Sequence, residues 1–370
     1  MVGLQAHSQR MVLLAEGRLS SIGLRMVIAA LLYVPDRIVA VIDSTKERQT
    51  AQEGIGFGGD TPIVHSLEEA MEYEPDSILI GITPLGGRIP DTWREIIVNA
   101  MDTGLHVVSG LQQILMKDEL IRAKSAEKGV QVYDLKTVPH SHLIRAQGSW
   151  QLRAAKTILT VGTDANTGKM TAAIRIYEEL KARGKKVALI GTGPTGILIS
   201  GRGVTVESIG ADFVTGAIEY EIDKAINEGY DHIVVEGQGA ITHCGNSPVS
   251  LGILHGTMPD AMILCHHAAR EKDIYGLKLP TVAQSIALHE HIMAPFKASK
   301  VVGIALNTMD LGKDEVAKLT ETLQSELQLN AIDPMRHSAK LLVDDLERYY
   351  ETYKNDNRGQ QFIKVYDRIF

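Results

Sequence analysis

Short apolar runs alternate with amphipathic stretches along most of the chain. In the first half the runs are "MVLLAEG", "RIVAVID", "SILIGI", "HVVSG" and "VQVYDL", and helical patterns such as "SLEEAMEY" and "DTWREIIVNAMDTG" lie between them. Apolar runs without polar alternation predict strands buried on both faces, and the amphipathic stretches supply the crossovers of a parallel, doubly wound sheet. A second series, "TILTVGT", "KVALIGT", "HIVVEGQG", "AMILCH" and "VVGIALN", predicts another sheet of the same kind. Periodicity lapses in "KTVPHSHLIRAQGSW", residues 136–150, where Pro139 interrupts it, so the boundary between the two series is expected there.

Composition narrows the picture. A chain of 370 residues exceeds what one core usually serves, which agrees with two domains. Hydrophobic content of 44% and charged content of 22% are those of a globular protein, and a net charge of −7 argues against nucleic acid as partner. The longest apolar candidate, "IGLRMVIAALLYV", is short of the roughly 20 residues that span a bilayer and carries Arg25, so it is read as a buried helix. The start of the sequence lacks the pattern of a secretory signal, and two cysteines are too few for a disulfide framework; a cytoplasmic protein with no membrane partner is expected. Cys244 and Cys265 each have a neighbouring His, but that is not a zinc spacing, and no metal site is expected.

The chemistry concentrates in the second half. Between "TILTV" and the helical "TAAIRIYEELKARG" lies G-T-D-A-N-T-G-K, with Gly162, Thr163, Asp164, Asn166, Thr167, Gly168 and Lys169. Strand, loop, Gly-Lys and helix in this order predict a phosphate cradle. Successive backbone N–H groups form a nest, the helix start adds its positive end, and the lysine bridges oxygens. The layout resembles the loop of dethiobiotin synthetases. Met170 stands where a hydroxyl usually meets Mg²⁺, and a thioether is a poor ligand for that hard cation. Thr171 substitutes from the next position, or other groups hold the metal, or the loop holds a diphosphate that is bound without being cleaved. The expected fold is thus α/β, with a Rossmann-like domain over residues 1–145 and a P-loop NTPase-like domain with a mostly parallel sheet over residues 146–370.

Other candidates sit at strand ends, where open α/β sheets bind ligands. Glu236 closes "HIVVEG" and occupies the position of a metal- or substrate-facing acid; His266 ends "AMILCH" and is a candidate acid or base near neutral pH. Asn307 ends "GIALN", where several P-loop proteins meet an adenine edge. The glycine-rich stretch from Gly191 to Glu219 is long for a connection and supplies Arg202, a candidate carboxylate clamp, with Asp212 and Glu219. In the first half Asp43 ends the second strand, a place where Rossmann domains keep a ribose-binding acid. No G-x-G-x-x-G follows the first strand, so a structural partner domain is the preferred reading.

Taken in order, "GTDANTGKMT", "TGPTGILISGRGV", "DFVTGAIE", "VEGQGAITH" and "ILHGTMPDAMILCH" resemble the DgcN-like D-glutamate N-acetyltransferase family, formerly a domain of unknown function. The resemblance covers most of the chain, and Met after the loop lysine is usual in that family. Pro194 departs from it, standing where the family more often has Gln. The resemblance implies acetyl transfer from acetyl-CoA to the amino group of an acidic amino acid, D-glutamate being the family's acceptor. The loop around Gly168 and Lys169, with Met170 and Thr171, would hold the CoA phosphates. Arg202 or Arg88 would clamp a carboxylate, and Glu236 or His266 would take the ammonium proton. A homo-oligomer acting on a small-molecule substrate is expected. Two rivals remain: an ATP- and Mg²⁺-dependent enzyme that activates a carboxylate or carbamate, and a nucleotide-binding sensor without turnover.

Overall fold

The computed structural model describes residues 4–19, 25–82 and 88–352. Two compact units are present: residues up to Val138 together with Gly193–Ser208, and Pro139–Thr192 together with the chain from Ile209 onward.

The first unit holds β1 (Met11–Leu14), β2 (Ile38–Ile42), β3 (Ile63–Val64), β4 (Ser77–Ile80), β5 (His106–Ser109) and β6 (Val132–Asp134). All pair in parallel, in the order β3-β2-β1-β4-β5-β6. This is the doubly wound order with its reversal between β1 and β4. The central strands β1 and β4 are fully buried, as strands covered on both faces are. The "IGLRMVIAALLYV" stretch gives the helix Arg25–Tyr33, whose Val27 and Ala30 join the core; its residues 22–24 lie outside the described residues. Local signals set the helix ends. Thr50 and Glu53 form a capping box before Ala51–Ile55, and Asp118 accepts the amides of Leu120 and Ile121 before Glu119–Lys128.

The stretch Gly193–Ser208 lies within the 146–370 domain drawn from sequence, yet it packs into the first unit. Its helix Pro194–Ser200 places Ile197 and Leu198, both fully buried, in that core. Arg37 donates to the Leu198 carbonyl at 3.0 Å, and Thr205 donates to that of Leu135 at 2.8 Å.

The second unit holds β7 (Lys156–Gly162), β8 (Val187–Ile190), β9 (His232–Val235), β10 (Ala261–His267), β11 (Lys300–Asn307) and β12 (Ala331–Ile332). Its order is β12-β11-β10-β7-β9-β8, again parallel throughout. β7 lies at the centre, and the chain leaves it in one direction toward β9 and β8 and later in the other toward β10. The carboxyl end of β7 is therefore a topological switch point, where a crevice for ligand opens. The helix Ala211–Asn227 approaches residues 144–146 so closely that a Cβ on Gly216 would collide with the Ile144 carbonyl. No described helix is long and apolar enough to cross a membrane.

Candidate functional site around Lys169

Strand β7 delivers the chain to the switch point, and the helix Lys169–Ala182 leaves from it. The loop between them turns through two left-handed residues, Asn166 at φ 56° and Gly168 at φ 96°. Such a turn directs successive amides to one side, which makes an anion nest. Gly162 is dictated by space: a Cβ there would lie 2.6 Å from Thr167 Oγ1 and 2.8 Å from Lys169 Nζ.

Lys169 is buried, and its ammonium donates to the Asp164 carbonyl at 2.7 Å and to Thr167 Oγ1 at 3.2 Å. Desolvation lowers its pKa to about 8 against the opposing pull of Cys265, Asp164 and Glu236, with Arg270 adding repulsion. A lysine kept in such a place is poised to gain from an arriving anion.

The floor of the loop comes from β9 and β10. Glu236, directly after β9, is buried and accepts the Thr192 amide at 3.0 Å, while Thr192 Oγ1 donates back to the Glu236 carbonyl. Gly237 donates its amide to Thr160 Oγ1 at 3.0 Å, and a Cβ at that position would collide with the Thr160 carbonyl oxygen. Gly239, at φ 61°, and Ala240 are held by Asn246 and Ser250: Asn246 Oδ1 accepts the Ala240 amide, and Ser250 Oγ donates to the Gln238 carbonyl. From β10, His266 Nδ1 lies 3.0 Å from Thr163 Oγ1, and the Cys265 carbonyl accepts the Thr163 amide. Burial, His267 and Arg270 push His266 down to about 4, so it is neutral at physiological pH.

The second unit thus gathers Gly162 through Lys169, Glu236 and His266 at one strand edge. Asn307, at the end of β11, stands beside Gly168, 3.9 Å from where a Cβ on that glycine would lie. Met170 and Thr171 lie in the first turn of the departing helix. Arg202 belongs to the first unit, where Ser200 Oγ binds both its amide and its carbonyl. Arg88 is exposed on that unit as well.

Several candidates serve architecture. Asp43 is fully buried and accepts from the amides of Gly17, Leu19 and Thr45 and from Thr45 Oγ1, so its carboxylate ties the β1 and β2 ends together. Glu219 accepts the amides of Gln147 and Ser149, and Asp212 pairs with Arg145 on the surface.

Two residues carry more than the sequence reading gave them. Arg270, three residues past β10, donates to Asp164 Oδ2 at 2.9 Å and to the Ala165 carbonyl at 2.6 Å, so it pins the phosphate loop. Its position just after a strand end was the available signal. His289, on the helix Val282–Met293, lies with Lys169, Gly237 and Gln238 around the small cavity under the loop. Its Nδ1 is engaged with the Ser285 carbonyl at 2.7 Å, and burial lowers its pKa to about 4. Nothing in its sequence surroundings distinguishes it from an ordinary core histidine.

Comparison with known proteins bears on this geometry. Residues 145–343 match the family model "Domain of unknown function (DUF1611_C) P-loop domain", and residues 44–138 match "Domain of unknown function (DUF1611_N) Rossmann-like domain". A D-glutamate N-acetyltransferase of Tritonibacter scottomollicae is 35% identical over 289 residues, 76% of this chain and 84% of that protein. One from a Pseudoalteromonas species is 31% identical over 287 residues, with the same shares covered. The crystal structure of a DUF1611 family protein from Anabaena variabilis superposes with a TM-score of 0.83 at 30% identity, covering 92% of this chain and 99% of that one.

Proposed function

The chain belongs to the DUF1611 family, and from that premise we propose that it is an amino-acid N-acetyltransferase that uses acetyl-CoA and takes an acidic amino acid, D-glutamate first among them, as acceptor. Two relatives that carry the name D-glutamate N-acetyltransferase support the activity; the donor and the acceptor are the finer part of the reading.

The observation that carries the donor assignment is the loop itself. The space that a Cβ on Gly162 would fill lies against Lys169 Nζ and Thr167 Oγ1, and Gly168 turns left-handed to open the nest, which suits a diphosphate. Lys169 meets the diphosphate charge, and the loop amides and the start of the helix Lys169–Ala182 complete the cradle. Met170 puts a thioether at the position where a cleavage site offers Mg²⁺ a hydroxyl, with Thr171 one residue further on, in keeping with a diphosphate held as a handle. Acetyl-CoA supplies the acetyl thioester.

The acceptor attacks only as a free amine, so a base must take the ammonium proton. Glu236 fills this role: the Thr192 amide fixes its carboxylate at the strand edge, and it acts on the same ammonium, Lys169, as the loop does. His266, neutral and bonded to Thr163, orients the loop.

A mass-spectrometric screen of D- and L-amino acids with protein and acetyl-CoA tests the reading. An N-acetyl product from glutamate or aspartate is expected, and from D-glutamate most of all. Failure of every amino acid to gain an acetyl group, with phosphate released from ATP in a parallel Mg²⁺ reaction, would replace it with the ATP-dependent alternative.

A further inference from the structure

A cleft of about 510 Å³ opens in the second unit beside the phosphate loop, with Asp164, His243, Lys278, Leu279 and Gln284 among its walls. Asp164 belongs to the loop and to the cleft at once, so a ligand in the cleft abuts whatever the loop holds.

The polar groups on these walls are chemically complementary to one kind of ligand. Asp164 is buried, 1% exposed, and its two oxygens differ. Oδ2 accepts from Arg270, whereas Oδ1 has no hydrogen-bond partner among the described residues. A buried carboxylate oxygen left without a donor is costly, and the charge beside it calls for a cation or an N–H group. His243 is also buried, and its Nδ1 accepts the Gly245 amide at 3.2 Å, which leaves the neutral ring's proton on Nε2 as a donor. Lys278 stands exposed on the hairpin arm closed by the Lys272–Lys278 bridge and makes no ion pair among the described residues. One wall therefore offers an acceptor for a cation, and others offer a donor and a positive charge for anions; Asp273, the second carboxylate on the walls, has its Oδ1 taken up by the Tyr275 and Leu277 amides.

We propose that this cleft is the acceptor site: the ammonium of an acidic amino acid rests on Asp164 Oδ1, and its carboxylates meet His243 Nε2–H and the Lys278 ammonium. The inference rests on the acetyltransferase reading and adds to it where the acceptor binds and why it is acidic. Placing the ammonium at Asp164 sets the nitrogen next to the loop whose Asp164 carbonyl holds the Lys169 ammonium. Specificity for a second carboxylate then resides in Lys278, whereas Asp164 requires the amine of every acceptor.

Calorimetric titration of D-glutamate and of D-glutamine into the full chain saturated with CoA tests this, for the wild type and for Lys278→Ala. Product formation is assayed in parallel. Lys278 is exposed, so its loss leaves the fold intact. The substitution is expected to weaken D-glutamate binding about tenfold, while D-glutamine and CoA change by less than about twofold. Asp164→Asn is expected to weaken both amino acids and to leave N-acetyl-D-glutamate, which has no ammonium, unaffected. Product formed at an unchanged KM for D-glutamate in Lys278→Ala would overturn the cleft assignment and leave the activity standing. Lys278-dependent binding without any acetylated product would do the reverse. A wild type that binds neither D-glutamate nor L-glutamate and acetylates neither would end both.

Discussion

Lys169 carries the largest share of the account at the scale of single residues. Its ammonium is buried, and its pKa is lowered to about 8 mainly by desolvation. The folded protein tolerates this charge rather than profiting from it, as is common at sites kept for binding. Lys169→Ala is expected to weaken acetyl-CoA binding roughly 100-fold, about 2.7 kcal/mol. The same variant should melt no lower than the wild type, which a thermal scan checks. The sign of the pH dependence follows from the lowered pKa. Lys169 is charged below about pH 8 and loses its proton above it, and an anion prefers the charged form, so affinity falls as pH rises. Between pH 7 and pH 9 the dissociation constant should grow about tenfold, and binding near pH 8 should take up protons from the buffer. Equal affinity at both pH values would contradict the role given to the ammonium.

Much of this residue scale was legible in the sequence. The loop from Gly162 to Lys169 announced itself because a phosphate nest needs particular residues at fixed spacing. Glu236 and His266 were legible because strand ends are. His289 was not, because an isolated histidine on an amphipathic helix has no local signature. Arg270 was not legible in its pinning role, since its ties to Asp164 and Ala165 cross more than a hundred residues of chain. Asp43 sits where a ribose-binding acid can stand, but the missing glycine fingerprint favoured a structural role, in keeping with the three amides and the hydroxyl that engage its carboxylate. Asp43→Ala should therefore destabilise the first unit by about 3 kcal/mol, measured by urea unfolding, and leave acetyl-CoA binding unchanged.

At the scale of elements, ten of the twelve strands correspond to continuous apolar runs; β3 and β12, two residues each, were too short to leave a periodic trace. Pattern also announced parallel sheets, because unbroken apolar strands must be covered on both faces. What pattern did not disclose is that the helix Pro194–Ser200 completes the first core, because burial of Ile197 and Leu198 there is a property of packing and not of local sequence. Ile197→Ala is accordingly expected to cost about 2–4 kcal/mol, read as a lowered urea midpoint. The turn after β9 is constrained more tightly still. A side chain on Gly237 collides with the backbone of β7, so Gly237→Ala should abolish acetyl-CoA binding or prevent folding, as circular dichroism and titration would show.

For the whole molecule, the two parallel six-stranded sheets place their switch points in different units, and the chemistry-bearing side chains gather at that of the second. In the first unit the described residues after β1 are organised around Asp43, and no G-x-G-x-x-G follows that strand in the sequence. Net charge of −7 sets a mildly repulsive background for anionic ligands, against which the proposed diphosphate site sets the buried Lys169 and the pinning Arg270. The account stands or falls on where that group binds. A crystal structure of the full chain grown with acetyl-CoA should show the diphosphate in the loop from Gly162 to Lys169, contacted by Lys169 Nζ and the loop amides. Acetyl-CoA bound at the carboxyl edge of the first sheet, with the loop around Lys169 in contact with none of it, would contradict the account.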